Sequence, residues 1–309
     1  MIRTARSVAG LILKYTLYPT LLGLTLWYLW LELGQPKSQL GSYYGYYLAA
    51  LVAAMVLLES LHPMRREWKM TWSSFLRRDV PYLIIGSVTL GAAGVAAGWA
   101  LMSFGLERGD SHATLPLVPA VVLALLIPEF FWYWLHRMSH EARGSLGRWL
   151  WRVHLPHHMP QQLYVMMHVV AHPLNTVAVR IILTAPLFLL GFSPESVFAA
   201  SVLVGLQGVV GHFNVDMRVG WLNYVLVGNE LHRYHHSADI DEAKNFGNIT
   251  PLWDILFGTF VYRPGIAPRA LGLGNSSDYP KEREILRVLA LPFGATHKRA
   301  VQILKGPRA

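Results

Sequence analysis

Nine histidines fall into four short clusters between positions 136 and 236, and long apolar runs separate the clusters. Any fold of this chain has to bring those clusters back together across the apolar runs. His136 and His140 stand in HRMSH; His154, His157 and His158 in HLPHH; His212 opens HFNVD; His232, His235 and His236 form HRYHH. Imidazole is a strong neutral ligand for iron, copper and zinc. Residues at i, i+3 and i+4 share a helix face, so each HxxHH can aim its rings one way. A merely solvated histidine run is the plainer reading of one such motif. Two copies of HxxHH in one chain weigh against it. The imidazole supply exceeds what one tetrahedral ion needs, which points to two metals and redox chemistry rather than a structural zinc.

The apolar runs set the fold class. The chain is 53% hydrophobic and 15% charged, whereas soluble domains carry about 25% charged residues. Four stretches, roughly 8–33, 43–61, 81–106 and 115–135, reach the ~20 residues that span a bilayer. Two shorter ones, roughly 176–192 and 195–210, either span or dip in and return as a hairpin; the hairpin is the favoured reading, with Pro194 as a turn or helix-start residue. The expectation is an all-α integral membrane protein: about four transmembrane helices, the hairpin, and a cytoplasmic helical cap holding a histidine-rich di-metal site. Residues 1–114 form the N-terminal transmembrane part, 115–262 the catalytic domain and 263–309 a C-terminal cytoplasmic tail. The N-terminus is basic (Arg3, Arg6) and then apolar. Its apolar stretch is too long for a signal peptide, holds Lys14 and ends without a small-residue cleavage site, so it reads as an uncleaved helix.

Loop charges set the orientation. Arg65, Arg66, Lys69, Arg77 and Arg78 follow the second stretch, against Lys37 and Arg108 after the first and third. The positive-inside rule then puts the N-terminus and every histidine cluster on the cytoplasmic side. The net charge of +9 suits anionic lipid headgroups. The basic residues are scattered and accompany no nucleic-acid motif, so no nucleic-acid partner is expected. The absence of cysteine excludes disulfides, iron–sulfur clusters, thiolate zinc sites and a cysteine nucleophile.

Further residues are candidates for supporting roles. Glu129 lies two helical turns before His136 and could orient a ligand imidazole through its other ring nitrogen. Asn214, Asp239, Asn248 and Asp254 are further supporting candidates, and His168 and His172 are candidates for lining the substrate site. Pro156 interrupts HLPHH, and the simplest accommodation is a helix beginning near it with His154 in the entry turn. Trp132, Tyr133 and Trp134 read as an interfacial aromatic belt. His62, His112 and His297 read as loop histidines. Lys281, Arg283 and Arg287 suggest a short helix lying on the membrane.

Taken in order, these motifs resemble the fatty acid hydroxylase/sterol desaturase superfamily of membrane-bound di-iron enzymes. The resemblance runs from about Glu129 to Phe260: a carboxylate before an aromatic-rich HRxxH (EFFWYWLHRMSH), then HLPHH, an apolar hairpin, His212 and HRYHH. It closes on Asn245, Phe246, Gly247 and on WDILFGT from Trp253 to Thr259. The family carboxylate is commonly Asp where this chain has Glu129, and some members have a histidine where this chain has Gly208. The resemblance implies two iron ions, with zinc as a substitute on overexpression, and O2 as co-substrate. It implies hydroxylation of an unactivated C–H bond of a lipid such as a fatty acyl chain or sterol. Desaturation and ether-lipid monooxygenation are the alternatives within the superfamily. With no GxGxxG loop and no cysteine ligands, electrons have to come from an external donor, a small redox protein or reductase. A metal-binding or metal-transporting membrane protein is the alternative from another class. The sequence leaves the oligomeric state open.

Overall fold

Inside a bilayer each backbone N–H and C=O has to be satisfied within its own segment, and helices do this for apolar runs. The computed structural model describes residues 8–104, 114–274 and 279–294, and among them helices form and no β-strand does. Helix α1 is Val8–Leu33 and α2 is Tyr44–Leu61. The single turn α3, Trp72–Ser74, runs through a π-turn at Phe75–Asp79 into α4, Val80–Phe104. Then come α5 Leu117–Glu141, α6 Gly144–His158, α7 Pro173–Leu189 and α8 Pro194–Gly211. Three short helices follow: α9 Asn229–His235, α10 Leu252–Leu256 and α11 Ile285–Ala290.

Among the described residues four helical runs are long and apolar enough to cross a membrane: α2, Arg66–Ala100, α5 and α8. The set differs from the sequence expectation in one member. α8, expected as half of a hairpin, has spanning length. Its hairpin partner α7 is shorter. The first expected stretch is the 26-residue α1, about 39 Å long at 1.5 Å per residue; it has the length, but with Lys14, Glu32 and several tyrosines and tryptophans along it, it is not among the four. Pro194 begins α8 as expected, and the Ser193 hydroxyl caps it by accepting the Ser196 N–H at 3.2 Å.

α1, α2 and α8 enclose one apolar core around Tyr18, Met55, Leu206, Val210 and Phe213. The buried polar groups in it are tied down. Lys14 meets Asp216 at 2.7 Å. The Gln207 amide donates to the Tyr18 hydroxyl at 2.8 Å. The buried Glu59 carboxylate of α2 accepts the Val165 and Asn214 N–H groups. Such buried polar groups are costly unless paired, so these bonds fix where the segments flanking α8 lie.

Three local expectations are corrected. HLPHH does not start a helix. It is the last turn of α6, begun ten residues before His154 at a corner where Ala142 (φ 46°) and Gly144 (φ 65°) are left-handed. Pro156 there forfeits one intrahelical bond near an end where the helix stops anyway, which makes it affordable. Trp132 and Tyr133 are buried, Trp132 against His136 with ring centroids 4.8 Å apart, so they form no interfacial belt. The tail helix α11, expected as a surface helix lying on the membrane, has one face packed into the protein. Val288 is fully buried against a cluster with Trp68, Tyr82, Leu163 and Tyr164, and Glu282 pairs with buried Arg78. Arg3, Arg6, Arg108, His112 and His297 lie outside the described residues.

Candidate metal centre

Four elements deliver the nine histidines. The C-terminal end of α5 brings His136 and His140, and α6 folds back beside it so that His154 reaches His136. The C-cap of α8 is His212, and α9 with its C-cap supplies His232, His235 and His236. They sort into two groups whose ligand atoms lie within 4.8 Å of one another. One holds His136, His140, His154, His158 and His235, and the other His157, His212, His232 and His236. The two HxxHH motifs are used reciprocally. α6 gives its i/i+4 pair to the first group and His157 to the second; α9 gives its i/i+4 pair to the second and His235 to the first. The groups adjoin, with His158 stacked on His236 at 4.4 Å.

The hydrogen bonds at the far side of the rings decide what the near side can do. His136 Nδ1 donates to the Phe246 carbonyl at 2.7 Å and His157 Nδ1 to Val170 O at 3.1 Å. His212 Nδ1 donates to Gly208 O at 2.9 Å and His235 Nδ1 to Lys244 O at 3.0 Å. His154 Nδ1 donates to the Asn175 side-chain oxygen at 3.2 Å. A carbonyl can only accept, so these partners assign the proton to Nδ1 and leave a lone pair on Nε2. Yet Nε2 of His136 lies 2.9 Å from Nε2 of His154, and Nε2 of His157 lies 3.2 Å from Nε2 of His212. Two lone pairs at that separation repel, and neither nitrogen has a proton to share. A cation between them removes the conflict, and each group contains one such pair. Buried His140 Nε2, His235 Nε2 and His236 Nδ1 have no protein partner, which a metal also answers. The residues therefore fit a metal centre. Burial first, then the neighbouring imidazoles, holds the histidines of HLPHH and HRYHH well below their ordinary pKa, so the rings are neutral, as metal ligation requires.

The supporting candidates behave differently from one another. Glu129 is fully buried and accepts the N–H groups of Asn248, Ile249 and Thr250; it does not touch an imidazole. The acceptor behind His136 is the Phe246 carbonyl. Asp254 accepts the Phe246 and Gly247 N–H groups, both at 2.7 Å, and the Thr259 hydroxyl at 2.6 Å. Glu129 and Asp254 thus clamp, from two sides, the loop that presents that carbonyl. Asn245 (φ 59°) turns the loop and bridges Leu231 O and Val261. A Cβ on Gly247 would come within 2.4 Å of Thr250 O, so no larger residue fits there. Asn214 bonds the Arg65 backbone and Asp239 the Asp241 N–H; neither reaches a ring.

An apolar cavity of about 390 Å³ opens on the centre between α4, α7 and α8, lined by Leu90, Val179, Leu183, Val204 and the rings of His136, His157 and His212. His168 lines it, as does Asn248. The His168 ring occupies the space over Gly208, where a Cβ would meet it at 2.7 Å, and burial lowers its pKa to about 4. His172 is not in the cavity. It caps α7 through Leu174 N–H and donates to Leu289 O in the tail. From another side a polar cleft of about 320 Å³ reaches His140, His158 and His235 past Trp151, Asp241 and Lys244. Residue reasoning had missed Asn175 and the carbonyl acceptors, which carry no motif. It had also missed Arg180, the one charge inside the apolar length of α7, which was visible in the sequence.

The fatty acid hydroxylase family model matches residues 121–259, the stretch that builds both groups. The chain is 31% identical to an ornithine lipid hydroxylase of Rhizobium tropici over 81% of this chain and 75% of that protein. It is also 31% identical to human alkylglycerol monooxygenase, over 44% of this chain and 29% of that one. A fatty acid hydroxylase of a Lecanicillium species is 30% identical over 47% of this chain and 43% of its own length. No solved structure gives a significant match. The chain belongs to the fatty acid hydroxylase family of membrane oxidoreductases.

Proposed function

We propose that this protein is an O2-dependent di-iron monooxygenase that hydroxylates an unactivated C–H bond of a membrane lipid. The observation that carries this is the pair of histidine groups with lone pairs turned inward, beside an apolar cavity large enough for a stretch of acyl chain. His136, His140, His154, His158 and His235 would hold one iron, and His157, His212, His232 and His236 the other. When bound, the two irons supply the capacity to reduce O2 and put one of its atoms into a C–H bond. The balance is one C–H bond, O2, two electrons and two protons giving one C–OH and water. The chain's own part is to hold nine imidazoles around the metals, five of them in tautomers fixed by an acceptor behind the ring, and to keep bulk water away from the reacting carbon. The cavity lining guides the lipid past His136, His157 and His212. The electrons come from a small redox protein or reductase, since the chain has neither a dinucleotide loop nor cysteine ligands. The charge asymmetry of the loops supports a cytoplasmic face for the centre and the N-terminus. Residues 115–262 serve as the catalytic domain in this reading.

The test is metal analysis joined to lipid analysis. Two transition-metal ions per chain, about the number the ligand supply provides for, are expected in the intact protein. His157→Ala and His235→Ala should lose metal and all labelled-oxygen product from cells fed 18O2, while His62→Ala changes neither. Full activity with metal retained in His235→Ala would refute the assignment. Sustained turnover with no electron donor would refute the redox chemistry. The same-superfamily desaturase reading predicts loss of hydrogen without labelled oxygen in the lipid.

A further inference from the structure

Arg180 stands eight residues into α7, with apolar residues on both sides in sequence. It is exposed, and it lines the apolar cavity together with Thr176, Val179 and Leu183, which share its helical face. Other membrane-region charges are partnered: Lys14 with Asp216, and Arg78 with Asp79 and Glu282. Arg180 has no such carboxylate among the described residues; it lies within electrostatic reach of the Tyr44 hydroxyl only. A second polar group in the same cavity is also unmatched. Gln207 is 2% exposed, its Nε2 is used on Tyr18, and its Oε1 has no partner. Turning the amide over only exchanges which atom is left. A guanidinium in an apolar setting is costly unless it meets an anion, and a buried amide oxygen without a donor is costly too.

We propose that Arg180 recognises an anionic group on the lipid that occupies the cavity, a carboxylate or a phosphate, and that Gln207 accepts an N–H or O–H of the same molecule. The ligand class is an acyl lipid with an acidic group and a hydrogen-bond donor close to it. The planar guanidinium matches either anion with two parallel bonds. The apolar faces of α4, α7 and α8 take the acyl chain. That the bound lipid is also oxidised rests on the monooxygenase reading; its capture by Arg180 does not.

Native mass spectrometry of the purified full-length protein in neutral detergent tests this. Three probes compete for it: an N-acyl amino acid with a free carboxylate, its methyl ester, and phosphatidic acid. Wild type should retain one or both acidic lipids over the ester by roughly tenfold to a hundredfold, the range for hydrogen bonds to charged groups. Which acid wins separates a carboxylate site from a phosphate site. Arg180→Leu should lose that preference and still bind the ester. Arg180→Lys should keep part of it, because lysine offers a point charge without the fork. Arg180→Gln keeps length and polarity and is read instead where the Leu variant does not fold. Gln207→Leu should weaken retention of the N–H lipid but not of its N-methylated form. Equal retention of acid and ester by wild type, or unchanged acid retention in folded Arg180→Leu and Arg180→Gln, would overturn the assignment. Wild-type protein that retains the acid yet gives no O2-dependent product, with metal and electrons supplied, would sink the monooxygenase reading and leave Arg180 standing.

Discussion

Replacing Asp254 with asparagine isolates the loop that holds His136. The carboxylate serves three donors: Oδ1 takes Phe246 N–H and the Thr259 hydroxyl, and Oδ2 takes Gly247 N–H. Asparagine has the same shape but one oxygen and one NH2. Whichever way its amide turns, the NH2 faces a backbone N–H, so one charge-assisted bond disappears and one buried donor is orphaned. The remaining bonds weaken because the acceptor is no longer ionised. Together this costs about 3 kcal/mol, taking 1–3 kcal/mol for the orphaned donor and the rest from the lost charge. At ~2–4 °C per kcal/mol for larger domains, the melting midpoint falls by about 6–12 °C. The Phe246 carbonyl also slackens behind His136, and loss of such a partner lowers metal affinity by ~10–100-fold. Tryptophan fluorescence during heating gives the first number, and metal content after a timed chelator challenge gives the second. Thr259→Val removes the hydroxyl's bond to the carboxylate and its bond with the Tyr133 hydroxyl but leaves both amides served, and should cost about 2 kcal/mol. Asp254→Asn protein with wild-type melting and wild-type metal retention would show that the carboxylate does not hold the 246–247 turn.

The pH profile follows from the depressed pKa values of HLPHH and HRYHH. Below the ordinary histidine pKa the unfolded chain takes up protons that the folded one refuses, so stability is full above about 6.5 and falls as the pH drops. Each such proton is worth ~1.4 kcal/mol per pH unit, and a melting midpoint that stays level from pH 7 to 5.5 would contradict the neutral, buried rings. Gly208→Ala pushes a methyl group into the His168 ring and should cost about 1–3 kcal/mol as overpacking. The paired change Gly208→Ala, His168→Ala should recover most of it, whereas additive losses would show that the two do not share space. Single cysteines in this cysteine-free chain report topology: those near Arg66 and Asp239 should resist an impermeant thiol reagent on intact cells and one near Gln35 should react. Labelling at the Asp239 position from outside would reverse the proposed orientation.

The helices and the histidine inventory were legible because both are periodic. Apolar runs of spanning length have to become helices, and i/i+4 imidazoles share a face before any tertiary contact forms. What the sequence hid is long-range and main-chain. No pattern announces that Phe246 O will stand behind His136, or that Asn175 will accept from His154 across 21 positions. Glu129 was visible as a costly buried charge, yet its position on α5 could not say whether it faces a ring or a loop. It faces three amides of the loop at 248–250. Pro156 misled because local propensity favours proline at a helix start, whereas α6 had already been nucleated at the Ala142–Gly144 corner. Trp132 misled because aromatic clusters near helix ends are usually interfacial, while here one is packed on the His136 ring.

Four of the imidazoles lean on carbonyls of Phe246, Val170, Gly208 and Lys244. A main-chain carbonyl is present whatever side chain its residue bears. The hydrogen bond itself is therefore indifferent to the side chain at its own position, although packing is not: Gly208 has to stay small beneath His168 and the Phe246 ring packs on the imidazoles. The burden of sequence identity shifts to the residues that shape that path, such as Gly247, Asn245 and Asp254. A saturation scan of the centre should accordingly be lopsided, intolerant at the histidines and at these few shapers, open to apolar residues at the buried Val170 and permissive at Lys244. A metal centre built this way can drift far in sequence while its inner geometry stays fixed, and new cavities for new lipids can be tried around it at little risk to the chemistry.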